Sequence, residues 1–188
     1  MNLLYTTHPS PIGELLLVGD GRALHALHML AGRRPPPIDA RWRRAPEAFT
    51  DVTTQLEEYF QGRRTSFTVP LALAGTPFQL RVWSALQEIR YGQTTSYGEL
   101  AAHIGQPTAS RAVGLANGRN PVAVIVPCHR VVGADGTLTG YGGGLERKRL
   151  LLDLESGVVP LGQLEATAVA APQLEAAAVS LPARATLG

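Results

Sequence analysis

Cys128, His129 and Arg130 follow one another in the run Ile125-Val126-Pro127-Cys128-His129-Arg130-Val131-Val132, and Cys128 is the only cysteine of the 188 residues. A lone thiol closes no internal disulfide, so it serves either as a small buried apolar group or as a nucleophile. A thiol becomes nucleophilic when a nearby cation or imidazole lowers its pKa from about 8.5 and raises the thiolate fraction. Both kinds of group stand directly behind this one. Adjacent side chains of a strand point to opposite faces, so His129 serves Cys128 only if the chain bends there or a water bridges them. Pro127 lacks an N–H and biases Val126 towards extended geometry. The expectation is an apolar strand that ends in a bend at the cysteine.

Two further segments carry shapes that suit a ligand. Ser96-Tyr97-Gly98-Glu99 has the spacing of a capping box, in which hydroxyl and carboxylate satisfy the free amides of a helix start, and the helix continues through Leu100, Ala101 and Ile104. After a break at Gly105-Gln106-Pro107, a second helix runs from Thr108 as N-cap to about Asn117. At about 100° per residue its inner face is Ala109, Ala112, Val113 and Ala116, which leaves Arg111 outward among Ser110, Gly114 and Leu115. Helix, short turn and small-residue helix is the helix-turn-helix layout that docks on DNA, although the same pairing also serves as a plain packing unit. The second segment is the glycine-rich loop Gly136 to Gly144, which leads into a helix from Leu145 to Glu155. It lacks the Gly-Lys-Ser/Thr of a phosphate loop and any dinucleotide spacing. Its backbone can approach a ligand closely, or it is a flexible connection.

The elements that must hold these groups read as follows. Strands are expected at Leu3 to Thr7, Glu14 to Val18 and Ala23 to Met29, separated by turn residues at Pro9 to Gly13 and Gly19 to Gly21. The Pro-rich stretch Arg34 to Pro37 interrupts them. A helix is expected from Ala48 to Phe60 with Val52, Leu56 and Phe60 inward, a strand from Ser66 to Leu73, and a helix from Pro77 to Ile89 with Phe78, Val82, Leu86 and Ile89 inward. Residues 1–74 are thus expected to form a small α/β unit, 75–157 a separate unit built around the helix pair, and 158–188 an Ala/Pro-rich tail in which Gln163 to Pro172 is nearly repeated by Gln173 to Pro182.

Composition limits the partners. With 45% hydrophobic and 17% charged residues the chain reads as globular, no apolar run approaches the length of a membrane span, and the start lacks the features of a signal peptide. A working thiol fits a reducing cytoplasm. The net charge of +2 makes no electrostatic case for nucleic acid, and the clusters Arg41-Trp42-Arg43-Arg44 and Arg147-Lys148-Arg149 read as solvated faces.

Taken together, Phe78 to Ala101, Ser110 to Asn117, Asn120-Pro121, Pro127-Cys128-His129-Arg130-Val131 and Thr139-Gly140-Tyr141-Gly142-Gly143-Gly144 resemble the O6-alkylguanine-DNA alkyltransferases, also called methylated-DNA-protein-cysteine methyltransferases. The likeness is strong from Pro77 onward and loose before it. The resemblance implies an α/β (α+β) fold with a ribonuclease-H-like N-terminal domain and a winged-helix-like C-terminal domain that binds the minor groove of double-stranded DNA. It implies irreversible transfer of an alkyl group from O6 of guanine, or O4 of thymine, onto Cys128, by a monomer without metal or other cofactor. His129 would be the base acting through a water, Glu155 would orient the imidazole, and Asn120 would brace the active-site turn. Tyr97 and Arg111 would handle base extrusion. Ser110, Gly114, Arg130, Val131, Tyr141 and Gly142 would complete the DNA and substrate surface. Arg90 stands where that family usually has proline.

Two other readings use the same residues. A cysteine hydrolase would bring a distant histidine to the thiol and turn over repeatedly. A non-enzymatic binder of damaged DNA would use the helix pair without the thiol.

Overall fold

The computed structural model describes residues 3–32 and 37–158. The tail expected at 158–188 lies outside them but for Val158, as does most of the Pro-rich stretch. Four strands open the chain, β1 (Leu4–His8), β2 (Leu15–Gly19), β3 (Leu24–Met29) and the short β4 (Arg43–Arg44), arranged β3-β2-β1-β4. The first three form the expected antiparallel meander, with Tyr5 opposite Val18 and Leu17 opposite Leu27. The unbroken apolar run Leu15-Leu16-Leu17-Val18 makes β2 the centre of the sheet, buried on both faces. Beside β1, β4 runs parallel, an edge the sequence reading did not include.

A 3₁₀ turn at Pro46–Phe49 leads into α1 (Thr50–Phe60), which buries Val52, Leu56 and Phe60 as expected and also Gln55 and Tyr59. The strand expected at Ser66 to Leu73 does not form. Only Leu71 pairs, through a single bridge to Leu24, because Pro70 has no N–H to extend a ladder. The extended segment is fixed instead by Gln55, whose side chain accepts from the Thr68 N–H at 2.9 Å and donates to its hydroxyl at 3.0 Å.

The second half is helical. A complete capping box of Thr76 and Gln79, with Pro77 in the first turn, starts α2 (Pro77–Gln87), which ends two residues before the expected Ile89. The indole of Trp83 donates to the carbonyl of Ala116 at 2.9 Å and ties α2 to the fourth helix. Thr95–Ser96 forms β5, and the Ser96–Glu99 capping box is present as expected at the head of α3 (Tyr97–His103). α4 (Ser110–Gly118) is capped at Ala109 without a side-chain bond, so Thr108 is not the N-cap. It buries Val113, Ala116 and Asn117, while Ala112 faces outward beside the exposed Arg111. β6 (Val131–Val132) pairs in parallel with β5, and α5 (Leu145–Glu155) closes the described chain. No helix among the described residues is long and apolar enough to cross a membrane.

One continuous apolar core joins the halves, from Leu15 and Leu27 through Leu56 and Val82 to Leu151. Polar ties reinforce it. The Leu27 N–H donates to the carbonyl of Pro121 at 2.9 Å. Arg147, buried rather than solvated, donates from Nε to the carbonyl of Ile12 at 2.6 Å and from Nη1 to that of Gly143 at 2.9 Å.

Candidate active site

The cysteine is delivered by a turn rather than by a strand. Ile125 N–H donates to the carbonyl of Ala123 and Val126 N–H to that of Val122, and Val124 is held at φ 70°, a conformation β-branched residues rarely adopt. Such strain persists only where the surroundings over-determine it. Asn120 supplies part of that constraint: its Nδ2 donates to the carbonyl of Val126 at 2.7 Å and its Oδ1 accepts from Val122 N–H at 3.0 Å. Asn117, which sequence reasoning did not single out, donates to the carbonyl of Cys128 at 3.3 Å. Cys128 to Arg130 then form one 3₁₀ turn before β6, so the opposite-face rule for strands does not govern His129.

Cys128 lines a cleft of about 630 Å³, the size of pockets that enclose small organic ligands. Its walls come from Asn117 to Asn120, from Gly140 to Gly143, and from Leu27, His28 and Met29 of β3. One glycine of the loop, Gly143, is required by close approach. A Cβ on Gly143 would collide with Met29 Sδ and would lie 2.9 Å from the Tyr141 ring. A second, more open groove is lined by Tyr97, Ser110, Arg111, Gly114, Tyr141 and Gly142, and Gly118, Gly140, Tyr141 and Gly142 belong to both. Tyr97, in the expected apolar stripe of α3, is half-buried and reaches the groove, with its ring 3.6 Å from where a Gly114 Cβ would stand.

Beneath the cleft lies a buried ionic cluster. His129 is fully enclosed, and its Nε2 meets Glu155 Oε1 at 3.0 Å. Because a carboxylate only accepts, this bond places the proton on Nε2 and leaves Nδ1 the acceptor nitrogen; Nδ1 has no protein partner. Arg130 grips the same carboxylate from Nε and Nη2, both at 2.8 Å, and donates a third bond to the carbonyl of Ile89. Burial works against the Glu155 charge, yet the bonds from His129 and Arg130 more than offset it and hold the carboxyl at about 2. Burial pulls the His129 imidazole below its ordinary value against the pull of Glu155, so it rests neutral near pH 7. Burial likewise raises the Cys128 thiol, with Asn120 and Lys148 acting in the opposite direction. The resting group is therefore a thiol that needs a base, and the neutral imidazole is a base.

Arg130 and Val131 were expected at the DNA and substrate surface. Both lie beneath the cleft instead, because the guanidinium is taken up by Glu155 and the Val131 side chain is fully buried. Lys148 was expected in solvent. It is fully buried and donates from Nζ to the carbonyls of Val131 at 2.6 Å and Thr139 at 2.7 Å, pinning the glycine-rich loop to β6. A Lys148→Met protein keeps the apolar stem and leaves two carbonyls without that donor. It should lose about 1–3 kcal/mol in urea unfolding, and an unchanged midpoint would contradict this role.

Residues 77–157 match the family described as 6-O-methylguanine DNA methyltransferase, DNA binding domain, and residues 3–73 match its ribonuclease-like domain. The chain is 56% identical over 156 residues to the methylated-DNA–protein-cysteine methyltransferase of Mycobacterium bovis, covering 83% of this chain and 94% of that one. It is 52% identical over 153 residues to the protein of that name from Methanosarcina acetivorans, covering 81% and 98%. Among solved structures, it resembles Mycobacterium tuberculosis OGT in complex with DNA, with a TM-score of 0.78 at 55% identity over 84% of this chain and 95% of that one. The O6-methylguanine-DNA methyltransferase of Pyrococcus kodakaraensis superposes with a TM-score of 0.60 at 26% identity, covering 81% and 98%. Two family domains in the same order, and identity above one half across nearly the whole of a relative, make this chain a member of the 6-O-methylguanine DNA methyltransferase family.

Proposed function

We propose that this chain repairs alkylated DNA by direct reversal, moving the alkyl group from O6 of guanine, or O4 of thymine, to its own Cys128. The observation that carries the reading is the position of Cys128 in the cleft wall with the neutral, carboxylate-held His129 next to it in the chain. The thiol proton passes to His129 Nδ1 through a water, the sulfur attacks the alkyl carbon in line, and the C–O6 bond breaks. The electron pair of that bond stays on the guanine, whose anion Tyr97 stabilises by donating at a ring nitrogen. The product is a thioether, which has no carbonyl for water to attack, so each chain acts once.

DNA is the partner. An O6 substituent lies inside the stack, so the damaged nucleotide must leave the duplex, at a cost of a few kcal/mol that is smaller for a mispaired base. The exposed Arg111 on α4 and Tyr97 on α3 flank the groove that leads to Cys128, which suits Arg111 to fill the gap and Tyr97 to turn the nucleotide. Ser110 and Gly114 keep the helix slim enough to enter the minor groove. Tyr141 and Gly142 border both hollows and would line the path of the base. Asn120 braces the turn and Glu155 orients the imidazole. We place the division between units at 74/75 and read the protein as a cytoplasmic monomer.

Incubation with duplex DNA bearing O6-methylguanine, followed by intact mass, tests the reading. One methylene mass is expected per chain, localised to Cys128, with no further turnover in excess substrate. An unmodified protein, or one that regains its thiol and repeats the reaction, overturns it.

A further inference from the structure

Glu155 holds more than the histidine. Its two oxygens take five hydrogen bonds: Oε1 accepts from Tyr59 Oη at 2.7 Å, His129 Nε2 at 3.0 Å and Arg130 Nη2 at 2.8 Å, and Oε2 from Arg130 Nε at 2.8 Å and Gly92 N–H at 3.3 Å. The shortest comes from Tyr59, ninety-six residues earlier in α1. We propose that Tyr59 is a positioning residue for alkyl transfer, its hydroxyl fixing Glu155 Oε1 against His129 so that the N-terminal unit completes the relay behind Cys128. This rests on the roles given above to Cys128 and His129.

Three observations support the assignment. The Tyr59 side chain is fully buried, and its ring packs on Phe60, Phe67 and Tyr91, with centroids 5.3, 5.3 and 6.1 Å away, so the hydroxyl is aimed by its surroundings. It chooses the oxygen that meets His129 rather than a spare carbonyl. Burial and the Glu155 charge raise the phenol well above its ordinary value, so it remains a donor throughout the working range.

The consequence is electrostatic. Every donor on Oε1 disperses carboxylate charge and weakens its pull on an imidazolium. The groups that face the pair are Tyr59 from α1, Tyr91 and the Gly92 N–H from the turn after α2, Arg130 and Cys128 from the 3₁₀ turn, Tyr141 from the glycine-rich loop, and Lys148 from α5. Tyr91 spends its own hydroxyl on the carbonyl of Leu154, at 3.4 Å, so Tyr59 is the one phenol donating to the carboxylate among the described residues. Without it the carboxylate becomes more basic, His129 binds its proton more tightly, and the base is neutral over a narrower range.

The test is Tyr59→Phe in the full chain, which keeps the ring. The rate of transfer from O6-methylguanine duplex at saturating DNA is followed against pH, and the His129 imidazole is titrated by NMR in the DNA-free protein. The acid limb of the rate profile and the imidazole titration should both move up by about half to one pH unit, a threefold to tenfold slower transfer below the limb. Tyr59→3-fluorotyrosine, a stronger donor, should move both down. Displacement of neither in either variant overturns the proposal. The imidazole titration needs no transfer, so a parent protein that fails to become alkylated sinks the function without deciding the role of Tyr59.

Discussion

A Cys128→Ser protein should bind duplex DNA bearing O6-methylguanine about as well as the parent and transfer nothing to itself. The serine hydroxyl is a far weaker acid than the thiol, and the one base beside it, His129, is a neutral imidazole whose basicity is depressed by burial. Losing the nucleophile of such a pair costs on the order of 10⁴-fold or more. Binding should survive because Tyr97, Ser110, Arg111 and Gly114 line a groove whose walls do not include the cysteine. Cys128 is 6% exposed, and serine there is smaller and can accept the same local donors, so the fold should persist. Intact mass and a fluorescence titration on one preparation decide the matter. A serine protein that still gains a methylene, or that protects cells from alkylation as well as the parent does, would place the function in binding rather than in transfer.

The helix pair and the N-terminal meander were largely legible in the sequence because each carries its cause locally. The Ser96–Glu99 box and the outward Arg111 follow from residue spacing within one element, and the meander of β1 to β3 from apolar runs separated by turn residues. What escaped was set by packing across the chain. Tyr59 lies three residues from Leu56 on an apolar face and reads as core; only the approach of α5 turns its hydroxyl into a partner of Glu155. Arg147 and Lys148 sit in a basic triplet that resembles a solvated surface. The first two bury their heads on carbonyls of Ile12, Gly143, Val131 and Thr139, while Arg149 alone remains exposed. A sequence shows the charge of a side chain but not the carbonyls that a distant turn will bring to it.

The segment from Ile125 to Arg130 shows the same limit at short range. Its β-branched residues and Pro127 favour extended geometry, yet Asn120 and Asn117 capture the carbonyls of Val126 and Cys128 and fold the stretch into consecutive turns. The outcome matters for chemistry, since the turn sets the thiol in the cleft wall while the imidazole runs inward to Glu155.

Glu155→Gln should damage both the fold and the chemistry. The parent carboxylate faces only donors, and a glutamine amide must turn its own NH₂ group towards one of them. If it points at His129, the imidazole must accept at Nε2, which moves its proton to Nδ1 and leaves no base for the thiol; a wrong tautomer of this kind costs on the order of 10²–10⁴-fold in rate. In either orientation it meets a donor of Arg130, which binds both oxygens, and the buried guanidinium loses its counter-charge, for which about 3–5 kcal/mol is the usual penalty. The pH dependence has a definite sign. Glu155 falls from an ordinary value of 4.5 to about 2 on folding, so its contribution is fully present above pH 4.5 and is lost as pH drops through about 2. A shift of that size corresponds to roughly 3 kcal/mol. His129, lowered from 6.5, adds to the same trend, because a neutral buried imidazole stabilises the fold above its unfolded pKa and opposes it in acid. Urea unfolding of parent and variant should therefore diverge by several kcal/mol at pH 7 and converge towards pH 3. Equal midpoints at pH 7, or a gap that widens in acid, would mean that the carboxylate does not hold the cluster as a charged acceptor.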